Sequence, residues 1–117
     1  MILKTGNGGG TGLSTVRDAF NPKVPEQISL EQNYPNPFNP ITNIIYNLPE
    51  DGFVKITVYD MLGNVVNNLV KTNQSSGHKS VQWNATNNQG QPVSAGVYLY
   101  TIEAGEFRQT KKMILLK

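Results

Sequence analysis

The chain has 117 residues, a length that fits one domain with a single modest hydrophobic core. Its ten basic and eight acidic residues give a formal net charge of +2 and are spread along the sequence, which argues against nucleic-acid binding. Cysteine is absent, and this excludes disulfides, a thiol nucleophile and a cysteine metal site.

The first 27 residues have the composition of a linker. Residues 6–12 read GNGGGTG, and two prolines follow at positions 22 and 25 without a sustained apolar period. A phosphate-binding loop is the alternative, but the Walker pattern needs Gly-Lys-Ser/Thr, and the dinucleotide fingerprint needs glycine where Thr11 stands. We therefore expect residues 1–27 to connect an upstream cargo domain to the rest of the chain. The opening four residues are too short for the apolar core of a signal peptide, so if the protein is exported, a longer parent chain must carry the signal upstream.

From Ile28 onward, short apolar or alternating runs are separated by turn residues about every ten positions, the spacing of a β-sandwich or barrel. The turns are rich in Gly, Asn, Asp and Ser, which tolerate the backbone conformations that tight turns need. We predict an all-β antiparallel sandwich of about seven strands, at residues 28–31, 41–48, 53–60, 65–70, 78–85, 96–103 and 107–116.

Alternation along the predicted strands assigns their faces. It sends Val54, Ile56 and Val58 inward and leaves Lys55 and Thr57 in water. In the last strand it separates Met113 and Leu115 from Ile114 and Leu116, of which only one pair can enter a two-layer core. We expect this terminal strand to present an apolar pair and an open hydrogen-bonding edge that a partner could recognise by strand addition.

No pattern of catalytic residues stands out. His78 has no Ser and Asp partners in a triad pattern, and the acidic residues are scattered. The loop Asn84 to Gly90 offers amides but no carboxylate to calcium. We therefore predict no enzymatic activity, no catalytic residue, no metal site and no cofactor. The aromatic residues of the predicted strands are expected in the core, although a carbohydrate-binding face would give the same pattern: Tyr46, Tyr59, Trp83, Tyr98 and Tyr100.

One segment is not explained by composition. Residues 33–40, Asn-Tyr-Pro-Asn-Pro-Phe-Asn-Pro, place three closely spaced prolines, at 35, 37 and 40, before the first long strand. Proline restricts its own φ and favours an extended conformation in the residue before it. We expect a stiff, extended lead-in that Phe38 anchors to the core, and a generic proline-rich ligand is the competing interpretation.

The same segment carries a resemblance to a known family. Tyr34 to Pro40, followed by ITNIIY at 41–46 and LPE at 48–50, resembles the opening of type A C-terminal sorting domains of the type IX secretion system, also called Por secretion tails. The family's order continues with VKITVYD at 54–60, Gly63, WN at 83–84, GQPVSAGVY at 90–98 and the closing KKMILLK at 111–117. The resemblance covers residues 28–117 and implies an immunoglobulin-like sandwich.

This resemblance implies a role in protein export from Gram-negative bacteria. The domain would direct its cargo from the periplasm through the outer-membrane type IX translocon to the cell surface or the medium, and a sortase-like peptidase would remove it. We expect a monomer with no membrane insertion and no nucleic-acid partner. The residues expected to serve sorting or partner recognition are Pro35, Asn36, Pro37, Phe38, Asn39, Pro40, Gly63, Gly96, Tyr98, Lys111, Lys112, Met113, Leu115 and Lys117.

Two alternative functions remain open at this point. One is a carbohydrate-binding or adhesive β-sandwich module of an extracellular hydrolase, which would need exposed aromatic rings. The other is an assembly domain like the immunoglobulin-like part of the flagellar hook-capping protein, which is similar around VYD at 58–60, Trp83 and GVY at 96–98. The upstream sequence of the parent protein would distinguish sorting from hook capping.

Overall fold

The structure, a computed structural model, describes residues 27–116. Its seven strands are β1 Ser29–Leu30, β2 Thr42–Leu48, β3 Gly52–Tyr59, β4 Val65–Gln74, β5 Gly77–Trp83, β6 Gly96–Ala104 and β7 Phe107–Leu115. All seven predicted strands are present. The largest difference is in β4, which continues to Gln74 because its last residues still pair with β3 as far as Gly52. The predicted linker lies, apart from Gln27, outside the described residues.

The strands form two antiparallel sheets. One has three strands in the order β1-β2-β5, and the other has four in the order β4-β3-β6-β7. The predicted antiparallel sandwich is therefore confirmed. The tight connection between β4 and β5 crosses from one sheet to the other, and β7 is an edge strand that pairs only with β6 within its sheet.

The core consists of the inward side chains of both sheets. Val54, Ile56 and Val58 of β3 are at most 1% exposed, as the alternation predicted. Met113 and Leu115 are likewise buried, whereas Leu116 is 50% exposed. Complete burial of each such side chain is worth roughly 1.5–3 kcal/mol, so these positions hold the two sheets together.

The prediction that Thr57 faces water was wrong. Thr57 does lie on the outer face of β3, but it is 2% exposed because its neighbours on β4 and β6 cover it. Its hydroxyl donates to Asn68 Oδ1 at 3.3 Å, and beside it the hydroxyls of Thr101 and Thr110 share a hydrogen bond of 2.8 Å. A row of short polar side chains thus crosses the outer face of the four-stranded sheet.

The sandwich has two distinct ends. The entry end holds Ile28 and the turns at residues 49–51, 75–76 and 105–106. The distal end holds residues 34–41, the turn at 60–64 with Val65, the loop at 84–95 and Leu116. The eight residues of β3 run from one end to the other, which separates them by roughly 25 Å.

Candidate functional site

The proline-rich segment and the end of the last strand meet at the distal end. We call residues 35–40 the proline loop. The backbone N–H of its Phe38 donates to the carbonyl oxygen of Ile114 at 2.9 Å, and the N–H of Leu116 donates to the carbonyl oxygen of Phe38 at 2.8 Å. A third hydrogen bond of 3.0 Å runs from the N–H of Ile114 to Oδ1 of Asn36. Two segments 78 residues apart in the sequence therefore form one surface.

This contact corrects the prediction of an open edge for the end of the terminal strand. The proline loop occupies outer backbone groups of Ile114 in β7 and of Leu116 directly after it, and Gln32 donates to the carbonyl oxygen of Lys112 at 2.8 Å. Strand β1 also lies against β7. Strand addition at the end of β7 would thus have to displace the proline loop.

The proline loop is bent rather than extended, which corrects a second prediction. Backbone bends occur at residues 35–37 and 39–40. The cause is that the segment is held at two separate places: Tyr34 bridges to Asn43 of β2, whereas Phe38 bridges to Leu115 of β7 in the other sheet. The chain has to turn to reach both.

Phe38 anchors the loop to the core as predicted. Its side chain is 1% exposed, and its ring centroid lies 5.8 Å from that of Trp83. Trp83 in turn meets Tyr98 edge-on at 5.5 Å. Such aromatic pairs contribute about 0.5–1.5 kcal/mol each beyond the burial of their surface, so the cluster fixes the loop on the sandwich.

Two buried polar side chains close the base of the loop. Asn33 and Thr42 are 2% and 0% exposed. The Asn33 amide donates to Thr42 Oγ1 at 2.9 Å and to the Pro35 carbonyl oxygen at 3.1 Å, and the Thr42 hydroxyl donates to the same carbonyl oxygen at 2.9 Å. Because these groups satisfy one another inside the protein, they specify where the loop begins and ends.

Tyr100 reaches the same region from the centre of the opposite sheet. Its hydroxyl donates to the Glu31 carbonyl oxygen and accepts from the Asn33 N–H, both at 2.7 Å. Burial raises the pKa of Tyr100 to about 12, because the ionised form is poorly solvated there. The strand pattern predicted this residue in the core but not its link to the backbone beside the loop.

The predicted recognition residues divide into supporting and accessible groups. Met113, Leu115 and Tyr98 are buried, so they support the surface and do not present it. Within the proline loop, Phe38 is buried, and the other five residues are exposed. Lys111 is half-buried, Lys112 is exposed, and Lys117 lies outside the described residues.

Both predicted glycines have positive φ near the distal end, Gly63 in a turn and Gly96 at the start of β6. Gly63 has φ of 89° and Gly96 has φ of 149°. The turn around Gly63 is organised by Asp60, whose Oδ1 accepts from the backbone N–H groups of Leu62 and Asn64, both at 2.9 Å. The Asn64 N–H in particular holds the pKa of Asp60 below its usual value.

Exposed apolar side chains gather at the distal end, a feature that the sequence pattern did not predict. Six of the eight large hydrophobic residues that are exposed among the described residues lie there, and one lies at the entry end. The six are Tyr34, Ile41, Met61, Leu62, Val65 and Leu116. Exposed apolar surface concentrated in one region is typical of a protein interaction site.

The described residues contain no group of three or more metal-ligating side chains and no helix that is long and apolar enough to cross a membrane. His78 uses Nδ1 in a hydrogen bond of 2.6 Å with Oδ1 of Asn47 on the neighbouring strand. What the distal end presents to solvent includes the exposed apolar side chains named above.

The family model described as FlgD Ig-like domain matches residues 41–106, more than half of the chain. No curated protein matches the sequence. Among solved structures, FlgD from P. aeruginosa is 25% identical with a TM-score of 0.51, over 63% of this chain and 58% of that one.

Two further structures come from Porphyromonas gingivalis. Dimeric latent PorU is 20% identical with a TM-score of 0.60, over 77% of this chain and 9% of that one. PorZ, an essential surface component of the type IX secretion system, is 19% identical with a TM-score of 0.51, over 77% of this chain and 11% of that one. At this identity the likeness establishes the fold alone. The chain spans about a tenth of the length of PorU and of PorZ.

Proposed function

The chain belongs to the FlgD Ig-like domain family, and from this premise we propose that it is a C-terminal sorting domain that directs a cargo protein through the type IX secretion system. The outer-membrane translocon would recognise the domain in the periplasm, and a sortase-like peptidase would remove it at the cell surface. The cargo would be anchored at the surface or released into the medium.

The observation that carries this proposal is the junction of the proline loop with the end of β7. The two segments most characteristic of the sorting family are joined by three hydrogen bonds of 2.8–3.0 Å and flanked by Tyr34 and Leu116, which are 76% and 50% exposed. A folded domain displays this composite surface, whereas an unfolded chain does not. Recognition of it would let the translocon distinguish a folded domain from an unfolded one.

The likeness to PorU and PorZ supports the proposal through the fold only. Both structures come from one bacterium, and the second is described as a component of the type IX secretion system. The sandwich of the present chain thus has a fold that also occurs in a protein of that system.

An assembly role like that of the flagellar hook-capping protein is the second candidate. The family match over residues 41–106 and the 25% identity to FlgD favour it. Recognition of sugars by a flat aromatic face finds no support, because Trp83, Tyr98 and Tyr100 are at most 7% exposed.

The direct test is a fusion of residues 28–117 to a periplasmic reporter in a bacterium with a type IX system. We expect the reporter at the cell surface or in the medium of that host, and in the periplasm of a matched strain that lacks the translocon. Retention in the periplasm of both strains would contradict the proposal and leave the assembly role as the better candidate. Deletion of residues 113–117 is a poor control because it removes the buried Met113 and Leu115.

A further inference from the structure

A cavity of about 470 Å³ opens at the entry end, far from the proline loop. Its apolar wall includes Ile28, Leu48, Phe53 and Phe107. Phe53 is 51% exposed, and Ile28 and Phe107 are only half-buried, so the wall keeps apolar surface that no other described residue covers. An apolar occupant would remove this surface from water.

The chain itself offers an occupant of suitable length. Ile28 belongs to the cavity wall and is the second residue that the structure describes, so the preceding residues join the sandwich at the cavity. Val24 is four positions before Ile28, so the extended backbone between them spans at most about 14 Å. Pro22 and Pro25 restrict the backbone on either side of it, which lowers the entropy cost of ordering this stretch.

Charge is consistent with the same occupant. Glu50, Asp51 and Glu106 line the cavity and give it a negative rim. Lys23 immediately precedes Val24 and would bring a positive charge to that rim, while Glu26 lies on the side nearer to the sandwich. Attraction between opposite charges at a protein surface favours the approach, although salt screens it.

We propose that residues 23–25 dock on the entry end, with the Val24 side chain in the cavity. The docked residues would form part of the domain rather than of the linker. This inference stands without the proposed function; where it is combined with that function, it places the segment open to the peptidase upstream of Lys23.

Limited trypsin digestion of the folded full chain tests the proposal with an internal reference. Trypsin cleaves after Arg17 and after Lys23, and only the second bond would be protected by docking. The quantity measured is the rate of cleavage at Lys23–Val24 divided by the rate at Arg17–Asp18. We expect this ratio to be on the order of tenfold lower in the native chain than in the Phe53→Asp variant, since burial of a valine is worth about a factor of ten. The exposed Val65 at the distal end supplies a matched control, and Val65→Asp should keep the native ratio. The same ratio in the native chain and in Phe53→Asp would overturn the proposal.

A second measurement avoids any change within the sandwich. Val24→Asp should shift the amide NMR signals of Gly52, Gly105 and Phe107, which line the cavity, whereas Val16→Asp should leave them unchanged. Unmoved signals in Val24→Asp would overturn the proposal. A native dimer that Phe53→Asp dissociates and Val24→Asp does not affect would also overturn it, because the occupant would then be a second copy of the chain.

Discussion

At the scale of single residues, Tyr100 links the two sheets. It sits in the middle of β6 with 0% exposure, and its hydroxyl satisfies one donor and one acceptor of the backbone at Asn33 and Glu31. Those backbone groups continue β1 toward the proline loop, at a place where no neighbouring strand pairs with them. Tyr100 thus supplies the hydrogen bonds that a neighbouring strand would otherwise provide.

We predict that Tyr100→Phe lowers the free energy of unfolding by about 1–3 kcal/mol, because it leaves two buried backbone groups without a partner. Urea unfolding measures the change. Tyr34→Phe is the matched control, since that ring is 76% exposed, and its replacement should cost less than about 0.5 kcal/mol. Equal losses in the two variants would show that the Tyr100 hydroxyl does not hold the chain.

The raised pKa of Tyr100 predicts an alkaline loss of stability. The pKa is about 12 in the folded chain and about 10 when unfolded, so the stabilisation is complete below pH 10 and decreases as the pH rises toward 12. The difference in unfolding free energy between the native chain and Tyr100→Phe should shrink by about 2 kcal/mol over this interval. The comparison cancels the other tyrosines, and a difference that stays constant from pH 9 to 12 would refute the assignment.

Gly63 illustrates a backbone requirement at one residue. Its φ of 89° is strained for any residue with a Cβ atom, although the space around it is open. We predict that Gly63→Ala costs about 1 kcal/mol of unfolding free energy. Gly52→Ala is the control, because a Cβ atom there meets nothing within 4 Å and no positive φ opposes it. Thermal unfolding should rank Gly63→Ala below Gly52→Ala, and the reverse order would contradict this explanation.

At the scale of elements, loops cover both edges of the four-stranded sheet at its distal end. The proline loop covers β7, and the loop at residues 84–95 covers β4 on the other side. There the Asn88 N–H donates to the Val66 carbonyl oxygen and Asn88 Oδ1 accepts from the Asn68 N–H, both at 3.0 Å. Edge segments covered in this way cannot pair with other chains, which lowers the tendency of the domain to aggregate.

We predict that Asn36→Ala weakens the proline loop on β7 without unfolding the sandwich. The substitution removes the acceptor of the Ile114 N–H, so amide hydrogen exchange at Ile114 should accelerate by roughly tenfold, the equivalent of a hydrogen bond worth about 1 kcal/mol or slightly more. Asn39 is exposed in the same loop and provides the control. Exchange at Ile114 that is equally fast in Asn36→Ala, Asn39→Ala and the native chain would contradict a role for the Asn36 side chain.

Local pattern sufficed to predict the strands but not their partners. Alternation identified the inward face of β3 at Val54, Ile56 and Val58, because period-two burial is a property of each strand alone. In β7 it separated Met113 and Leu115 from their neighbours but did not decide which pair is buried. The contact of Phe38 with Ile114 is not a local property. It joins residues 76 positions apart in the sequence, and a local periodicity does not predict a contact over that separation.

Burial by neighbours also escaped prediction. Thr57 and Lys55 have the same orientation, but Thr57 is short and lies between Asn68 and Thr101, whereas the longer Lys55 extends to an ion pair of 3.4 Å with Glu103. The sequence predicts which face a residue occupies. It does not reveal how far the adjacent strands cover that face.

At the scale of the whole molecule, the two ends of the domain differ. The chain from upstream arrives at the entry end, beside an apolar cavity with an acidic rim. The distal end carries the proline loop, the end of β7 and six exposed apolar side chains. A sorting domain built in this way would hold its cargo on one side and keep its recognition surface free on the other, about 25 Å away.

The measurement that tests this account most directly is export of a reporter fused to residues 28–117 with one end of the sandwich altered at a time. Tyr34→Asp combined with Leu116→Asp changes two exposed positions at the distal end, and Phe53→Asp changes an exposed position at the entry end. Thermal unfolding of each purified fusion establishes that it is folded. We expect the distal variant to leave the reporter in the periplasm and the entry variant to be exported like the native domain. Normal export of the distal variant, or loss of export in the entry variant alone, would contradict recognition through the proline loop and the end of β7.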